Sequence, residues 1–226
     1  MGTRVVDWDE YATRWAALHG GFDPRRAGTV VRGWLRTAYR IGATLGRWRV
    51  TPTAVTVAGL LCCAGVPVTA TAAPTGLFAG AALVLLAAVA DSVDGAVALA
   101  TDRASRLGYV YDSTADRLGE ACWLAAFWVV GVPVPLVVAA GGLTWLHEYV
   151  RARAVAAGMT EIGTVTVGER PSRVIVTVLA LLAGGAAGLV QHDLAAGTMT
   201  VLLAVWVLLA VFGLAQLLRA VRTILR

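Results

Sequence analysis

The chain is poor in charge and contains no lysine. Of its 226 residues only 15% are charged, 58% are hydrophobic, and the mean hydropathy is +0.72. All 19 basic residues are arginine, which we attribute to a GC-rich genome. This composition excludes a disordered chain and an ordinary soluble domain of this size. The sequence therefore predicts a protein that resides in a lipid bilayer.

Cysteine is also scarce. Cys62, Cys63 and Cys122 lie inside apolar stretches without metal-ligand spacing, which excludes a disulfide scaffold and disfavours a cysteine metal site. A zinc-protease motif is excluded because the residue four positions after His147 is Arg151. The first 25 residues show no apolar core of a signal peptide, so we expect none.

Apolar runs of about 20 residues recur along the chain, and one such run suffices to cross the hydrocarbon core. They predict an all-α integral membrane protein with six transmembrane helices, preceded by a polar cytoplasmic segment, residues 1–50. The predicted spans are residues 53–71, 76–100, 109–130, 134–156, 173–190 and 197–218. We interpret residues 51–226 as one six-helix membrane domain.

The arginines lie on one side of the predicted spans. With six spans both termini share a side, every arginine lies on or near it, and the opposite connections contain none. The positive-inside rule then predicts a multi-pass protein of the cell membrane with both termini in the cytoplasm. The net charge of +5 thus indicates the membrane surface as a partner and not a nucleic acid.

The stretch from Thr29 to Arg47 has two different faces. Arginines recur every four residues on one face, and apolar side chains cover another: Arg32, Arg36 and Arg40 against Val30, Val31, Trp34, Leu35, Ala38 and Leu45. This pattern predicts an amphipathic helix in the membrane interface. A solvated helix packed on the cytoplasmic side is the alternative.

Four aspartates cluster around the turn between the second and third predicted spans. Asp91 and Asp94 lie three residues apart, and Asp112 and Asp116 lie four apart, so each pair shares one helical face. Carboxylates in spans are costly and usually face each other or a water-filled cavity. Oxygen ligands favour Mg²⁺, Mn²⁺ or Ca²⁺, and two such ions would suit phosphate chemistry. The alternative is solvated acids paired with neighbouring arginines.

The residues around these aspartates resemble a family signature. Residues 91–98 read DSVDGAVA, and residues 108–116 read GYVYDSTAD. They fit the pattern of the CDP-alcohol phosphotransferase family, D-x-x-D-G-x-x-A-R followed after eight residues by G-x-x-x-D-x-x-x-D. The resemblance implies a cytoplasmic-facing active site in an enzyme of phospholipid synthesis. Such an enzyme moves a phosphatidyl group from CDP-diacylglycerol to an alcohol and releases CMP.

The resemblance also implies roles for individual residues. Asp91, Asp94, Asp112 and Asp116 would hold two Mg²⁺ or Mn²⁺ ions, and Asp116 would take the proton from the attacking hydroxyl. For Asp116, metal ligation without proton transfer stays open. The implied nucleotide-binding residues are Thr56, Asp94, Gly95, Ala98, Arg103, Ser105 and Gly108.

Two positions depart from the family pattern. Leu99 stands where the pattern has arginine, and Thr53 stands where relatives usually have asparagine or aspartate. In the family both regions help to hold the nucleotide, and Arg103 in the next turn is our candidate for the missing positive charge. A relative that binds nucleotide or lipid without turnover is therefore an alternative to the enzyme.

A second set of arginines indicates the acceptor. The segments 148–158 and 169–173 look like those of the bacterial phosphatidylinositol phosphate synthases, which show K-A-R-A-x-x-x-G and E-R-x-x-R there. Guanidinium groups match phosphate geometry, so we expect a phosphorylated alcohol such as inositol phosphate. The residues are Arg117, Arg151, Arg153, Arg170 and Arg173. Glycerol 3-phosphate is an alternative acceptor, and contacts with lipid phosphates are an alternative role.

The expected partners are CDP-diacylglycerol, an alcohol, membrane lipid and a second copy of the chain. Two GxxxG pairs, Gly76 with Gly80 and Gly184 with Gly188, would let helices approach closely, within one chain or in a homodimer. A small transporter is a third functional class, but the acids gather toward one face of the membrane. The pattern assigns no role to residues 7–24.

Overall fold

The structure is a computed structural model that describes residues 5–159 and 166–226. Within these ranges the chain is helical and has no strand. The helices are α1 (Trp8–Leu18), α2 (Thr29–Arg47), α3 (Pro52–Ala70), α4 (Thr75–Ala100), α5 (Arg106–Val130), α6 (Val134–Ala156), α7 (Arg170–Val190) and α8 (Leu194–Ile224), with a short 3-10 helix at Pro24–Arg26. The all-helical prediction is confirmed, and residues 1–4 of the predicted N-terminal segment lie outside the described ranges.

Each predicted span coincides with one of the helices α3 to α8, with ends shifted by a few residues. Among the described residues, four helices are long and apolar enough to cross a membrane: α3, α4, α7 and α8. Helices α5 and α6 carry more charged residues, and charge in a span is costly unless it is paired or hydrated. The six-span count therefore stays a prediction.

The helices divide into two compact units. The first unit comprises Met1–Leu61 and Leu86–Asp116, and the second unit comprises Cys62–Leu85 and Arg117–Arg226. The first unit contains α1, α2 and the stretches of α4 and α5 that carry the four aspartates. The second unit contains α6, α7 and α8. The division at residue 50 that we expected from the sequence stays a prediction.

Helix α2 packs closely against the end of α4 through a face of small residues. A Cβ at Gly42 would lie 2.9 Å from the backbone of Ala96 and Val97, and a Cβ at Gly46 would lie 2.5 Å from Thr101 Cγ2. Packing at this distance requires glycine, because any side chain would displace the neighbouring backbone. The small residues thus allow α2 to pack against the C-terminal end of α4, which is followed by the turn to α5.

Several other side chains of α2 are exposed. Val30 is 85% exposed and Trp34 is 48% exposed, and Arg32 and Arg40 are exposed as well. The stretch Thr29–Arg47 is helical, and its exposed residues come from both the apolar and the arginine-bearing side of the predicted pattern. Its location in the membrane interface stays a prediction.

Both GxxxG pairs pack within the second unit. A Cβ at Gly184 would lie 2.7 Å from Met199 Cγ, and one at Gly188 would lie 3.0 Å from the Ala195 side chain, so these glycines allow α7 to approach α8. A Cβ at Gly76 would overlap the carbonyl oxygen of Thr69 in α3. The glycines therefore serve packing inside the chain, and they give a homodimer no separate support.

Candidate functional site

Three of the predicted aspartates converge in the first unit. Asp91 on α4 and Asp112 and Asp116 on α5 each offer a carboxylate oxygen, and these oxygens lie within 4.8 Å of one another. All three residues are half-buried. A group of carboxylate oxygens this close fits a hard divalent cation such as Mg²⁺ or Mn²⁺. We call these three residues the aspartate cluster.

The fourth predicted aspartate, Asp94, is held by a neighbouring helix. It is buried, and its carboxylate accepts a hydrogen bond of 2.6 Å from the Thr56 hydroxyl on α3. The hydroxyl lies 3.2 Å from the carbonyl oxygen of Pro52 as well. The structure thus brings together Thr56 and Asp94, which the family resemblance joined in one nucleotide site. A fixed carboxylate orientation is what ligand binding requires.

The helix around Asp94 offers room for a ligand. Gly95 is exposed, and a Cβ added there would meet no atom within 4 Å, so open space adjoins α4 at this point. Ala98 lies half-buried one turn later. The open space is thus next to Gly95, while the side chain of the neighbouring Asp94 is buried.

Three of the predicted nucleotide-binding residues lie in the turn between α4 and α5 or in the first turn of α5: Arg103, Ser105 and Gly108. The Ser105 hydroxyl accepts a hydrogen bond of 3.0 Å from the backbone N–H of Gly108, which caps the start of α5. Arg103 is exposed, and its backbone N–H donates to the carbonyl of Ala98 at 2.8 Å. Ser105 therefore has a clear role in the fold, and the nucleotide roles of all three residues stay predictions.

The two departures from the family pattern lie in different surroundings. Thr53 is exposed at the start of α3, whereas Leu99 is only 8% exposed and packs in a buried cluster with Val6, Tyr11 and Ala38. A leucine at this position contributes to an apolar core that α1 forms with α2 and α4. In this chain the side chain at position 99 therefore packs in the apolar core.

Sequence reasoning missed Arg14 of α1. Its guanidinium donates to the carbonyl of Leu99 at 3.2 Å and to the Asp102 carboxylate at 2.7 Å. These contacts join residues 85 and 88 positions apart, so no local pattern reveals them. The helix itself has a recognisable start, because Asp7 caps the N–H of Glu10 at 2.8 Å.

In the second unit, two of the predicted acceptor arginines form an internal network. Glu148 lies 2.7 Å from Arg117 and 2.8 Å from Arg173, and Glu120 lies 3.3 Å and 3.1 Å from the same two guanidiniums. The side chains of Glu120 and Arg173 are 1% and 4% exposed. We call these four residues the arginine network. Its two carboxylates balance its two guanidiniums, as buried charges require.

The other three predicted acceptor arginines are more accessible. Arg151 forms an ion pair with Glu169, which also accepts hydrogen bonds from the backbone N–H and hydroxyl of Thr166 at 3.0 Å and 3.1 Å. Arg170 is half-buried, and Arg153 is exposed on α6. Sequence reasoning missed the glutamates, although Glu120 lies one helical turn from Arg117.

Comparisons with known proteins agree with the signature. A model of the CDP-alcohol phosphatidyltransferase family matches residues 49–224. A phosphatidylinositol phosphate synthase of Mycobacteroides abscessus is 34% identical over 193 residues, which cover 81% of this chain and 82% of the relative. An archaetidylinositol phosphate synthase of Pyrococcus horikoshii is 33% identical over 153 residues, which cover 63% and 75%.

Two crystal structures of the phosphatidylinositol phosphate synthase of Mycobacterium tuberculosis are similar to this chain. The one with CDP-diacylglycerol bound has a TM-score of 0.66 and 27% identity, and the match covers 83% of this chain and 94% of that one. The one with manganese and citrate has a TM-score of 0.64 and 26% identity, covering 82% and 89%. Because the family model matches most of this chain, the chain belongs to the CDP-alcohol phosphatidyltransferase family of membrane enzymes.

Proposed function

We propose that this enzyme transfers the phosphatidyl group of CDP-diacylglycerol to a hydroxyl of inositol phosphate and releases CMP. The observation that carries the proposal is the aspartate cluster, whose three carboxylates lie on the family signature. The names of the similar enzymes support inositol phosphate as the acceptor, and a similar enzyme binds CDP-diacylglycerol.

The aspartate cluster fits a divalent cation by its donor chemistry. Asp91, Asp112 and Asp116 would hold Mg²⁺ or Mn²⁺, with Asp94 completing a site for two ions. Bound metal ions would supply positive charge that stabilises the phosphate oxygens and the departing CMP. Manganese in a similar enzyme supports a divalent-metal site here.

Asp116 is the proposed base. Its carboxylate would accept the proton of the acceptor hydroxyl as the hydroxyl oxygen forms a bond to the β-phosphorus of the donor. The bond from that phosphorus to the oxygen of CMP breaks, and the electron pair leaves with CMP. The half-buried position of Asp116 allows contact with substrate while excluding much of the solvent.

The nucleotide would be held near Thr56, Asp94 and Gly95. The Thr56 hydrogen bond fixes the Asp94 carboxylate, and the open space beside Gly95 admits a ligand. We propose supporting roles for the remaining residues of the signature and its turn: Ala98, Arg103, Ser105 and Gly108.

The acceptor phosphate would be bound by arginine. Among the five candidates Arg153 is exposed, so a phosphate reaches it at the lowest desolvation cost. Arg151 and Arg170 would add charge-assisted hydrogen bonds. Arg117 and Arg173 are paired with Glu120 and Glu148, so an acceptor phosphate would compete with these carboxylates for the two guanidiniums.

The same proposal includes a topology and an assembly. Six spans, with α5 and α6 crossing beside the four apolar helices, would put both termini and the active site in the cytoplasm of a cell-membrane enzyme. The distribution of arginine supports this orientation. We also propose a homodimer, in which a surface other than the two GxxxG pairs would join the copies.

The test is CMP release by the full chain in lipid nanodiscs with CDP-diacylglycerol and Mg²⁺. Inositol phosphate, glycerol 3-phosphate, inositol and serine are supplied separately. We expect release with inositol phosphate and its loss in Asp116→Asn, while Asp193→Asn, a matched change at an exposed acid, retains it. Release only with glycerol 3-phosphate would identify a phosphatidylglycerophosphate synthase. No release from folded protein with any acceptor would contradict the proposal and favour a different donor or a binding-only relative.

A further inference from the structure

Helix α1 lies outside the part of the chain that the family model matches, which begins at residue 49. It is nevertheless tied to the motif-bearing helix α4. The backbone N–H of Val6 donates to the carbonyl of Ala100, the last residue of α4, at 2.9 Å. The Tyr39 hydroxyl of α2 donates to the carbonyl of Val6, also at 2.9 Å. The start of α1 is thus bonded to two helices of the first unit.

An aromatic and aliphatic core fixes α1 in this position. Tyr11 is 1% exposed, and its ring lies 5.0 Å from the ring of Tyr39 and 5.6 Å from that of Trp8. Burial raises the pKa of Tyr11 to about 12, so the phenol is neutral at physiological pH. Leu99 belongs to the same core. Packing of this kind holds a helix in one orientation.

This orientation places the Arg14 guanidinium at the C-terminal end of α4. One terminal nitrogen donates to the carbonyl of Leu99 and to the carboxylate of Asp102, and the other donates to Glu10 at 2.7 Å. The last carbonyls of a helix lack intrahelical partners and attract cations. Arg14 therefore joins the last turn of α4 to the turn that follows it.

Asp102 occupies an unusual conformation in that turn. Its φ is +58°, in the left-handed region that favours glycine. Its side chain is 82% exposed. The conformation reverses the chain between α4 and α5, because the next residue, Arg103, bonds back to Ala98 at 2.8 Å. The hydrogen bond from Arg14 holds the side chain of the residue at which the chain turns.

The geometry of this turn determines where the aspartate cluster forms. Asp91 precedes the turn on α4, and Asp112 and Asp116 follow it on α5, yet their oxygens lie within 4.8 Å of one another. A small change in the direction of α5 would separate the carboxylates. We propose that Arg14 is a positioning residue for the metal site, because it fixes the α4–α5 turn from the outside. This inference rests on the proposed function in taking the aspartate cluster as a metal site.

The experiment measures Mn²⁺ binding by electron paramagnetic resonance on the full chain in nanodiscs, without substrate. We expect Arg14→Ala to weaken Mn²⁺ binding about tenfold, as loss of a residue that orients metal ligands does. Arg14→Lys should recover part of the affinity. The matched control is Arg25→Ala, because Arg25 is bonded to Asp23 and Asp9 within the N-terminal segment alone.

Asp102→Asn removes the negative charge that pairs with Arg14. Because the Asp102 side chain is exposed, we expect this variant to fold. We expect it to weaken Mn²⁺ binding less than Arg14→Ala does. The double variant should bind Mn²⁺ no more weakly than Arg14→Ala alone, because both changes remove the same contact. The midpoint of thermal unfolding, recorded in EDTA, detects a purely structural role.

Unchanged Mn²⁺ affinity in Arg14→Ala, with a lowered unfolding midpoint, would overturn the proposal and leave Arg14 as a stabilising residue of α1. An equal loss of affinity in Arg25→Ala would also overturn it, since any change in the N-terminal segment would then act alike. If the wild-type chain bound no Mn²⁺, the metal site of the proposed function would fail as well, so the two failures are distinguishable.

Discussion

The aspartate cluster and the arginine network use charged side chains in opposite ways. The aspartate cluster brings three carboxylates within 4.8 Å of one another in the first unit. The arginine network matches two guanidiniums with two carboxylates at 2.7 to 3.3 Å in the second unit. Like charges at short distance repel and favour a bound cation, whereas matched buried charges are complete without a ligand. The first arrangement is suited to chemistry and the second to stability.

The largest effect should come from removing one member of the aspartate cluster. We expect Asp112→Asn to lower CMP release more than about 100-fold, because one ligand of the metal site is lost. We expect the unfolding temperature of the same variant in EDTA to stay close to that of the wild type, because asparagine keeps the size of the side chain and can still accept hydrogen bonds. A large fall in the unfolding midpoint would show that Asp112 stabilises the fold and would break the comparison.

The arginine network should respond in stability. Glu120→Gln leaves two buried guanidiniums with one carboxylate less, and we expect a loss of about 3 kcal/mol in unfolding free energy. Denaturant titration in mixed micelles measures it, with Asp193→Asn as the control at an exposed acid. A stability equal to the wild type would contradict the view that this network is structural.

Arg153, which is exposed, should behave unlike the paired arginines of the second unit. Arg153→Ala should raise the KM for inositol phosphate about tenfold, through loss of a charge-assisted contact, and leave the unfolding midpoint unchanged. Arg153→Lys, which keeps the charge, should recover part of the loss. If KM stayed constant in Arg153→Ala, the acceptor phosphate would be bound elsewhere.

The smallest expected effect concerns the hydrogen bond that orients Asp94. Thr56→Val removes the hydroxyl at nearly constant volume and should raise the KM for CDP-diacylglycerol about fivefold, which is about 1 kcal/mol. Thr56→Ser retains the hydroxyl and serves as the matched control. Equal KM values in the two variants would remove Thr56 from the nucleotide site.

The part of the site that is encoded locally could be predicted from the sequence. Helical spacing puts Asp91 and Asp94 on one face and Asp112 and Asp116 on another, and a short turn joins the two helices. The meeting of three carboxylates follows from that arrangement, whereas the pairing of Thr56 on α3 with Asp94 was expected only from the family resemblance. The helix Thr29–Arg47 was predictable for the same reason, because the spacing of its arginines and apolar residues is helical.

The rest depends on tertiary contacts that no local pattern specifies. Arg14 contacts residues 85 and 88 positions away, and the partner of Arg117 and Arg173 on α6, Glu148, is equally remote from any motif. The sequence shows that both arginines could bind an acceptor phosphate, but it does not show that Glu120 and Glu148 are their partners. Leu99, which departs from the family pattern, packs in a buried cluster with Tyr11 of α1, and no local pattern predicts this contact.

The most direct test of a metal-dependent transferase is CMP release from CDP-diacylglycerol and inositol phosphate while the divalent cation is removed and restored. The account predicts that EDTA abolishes release by the wild-type chain, that Mg²⁺ or Mn²⁺ restores it, and that Asp116→Asn stays inactive at every metal concentration. Acceptor-dependent release that persists in EDTA, or in Asp116→Asn, would contradict it.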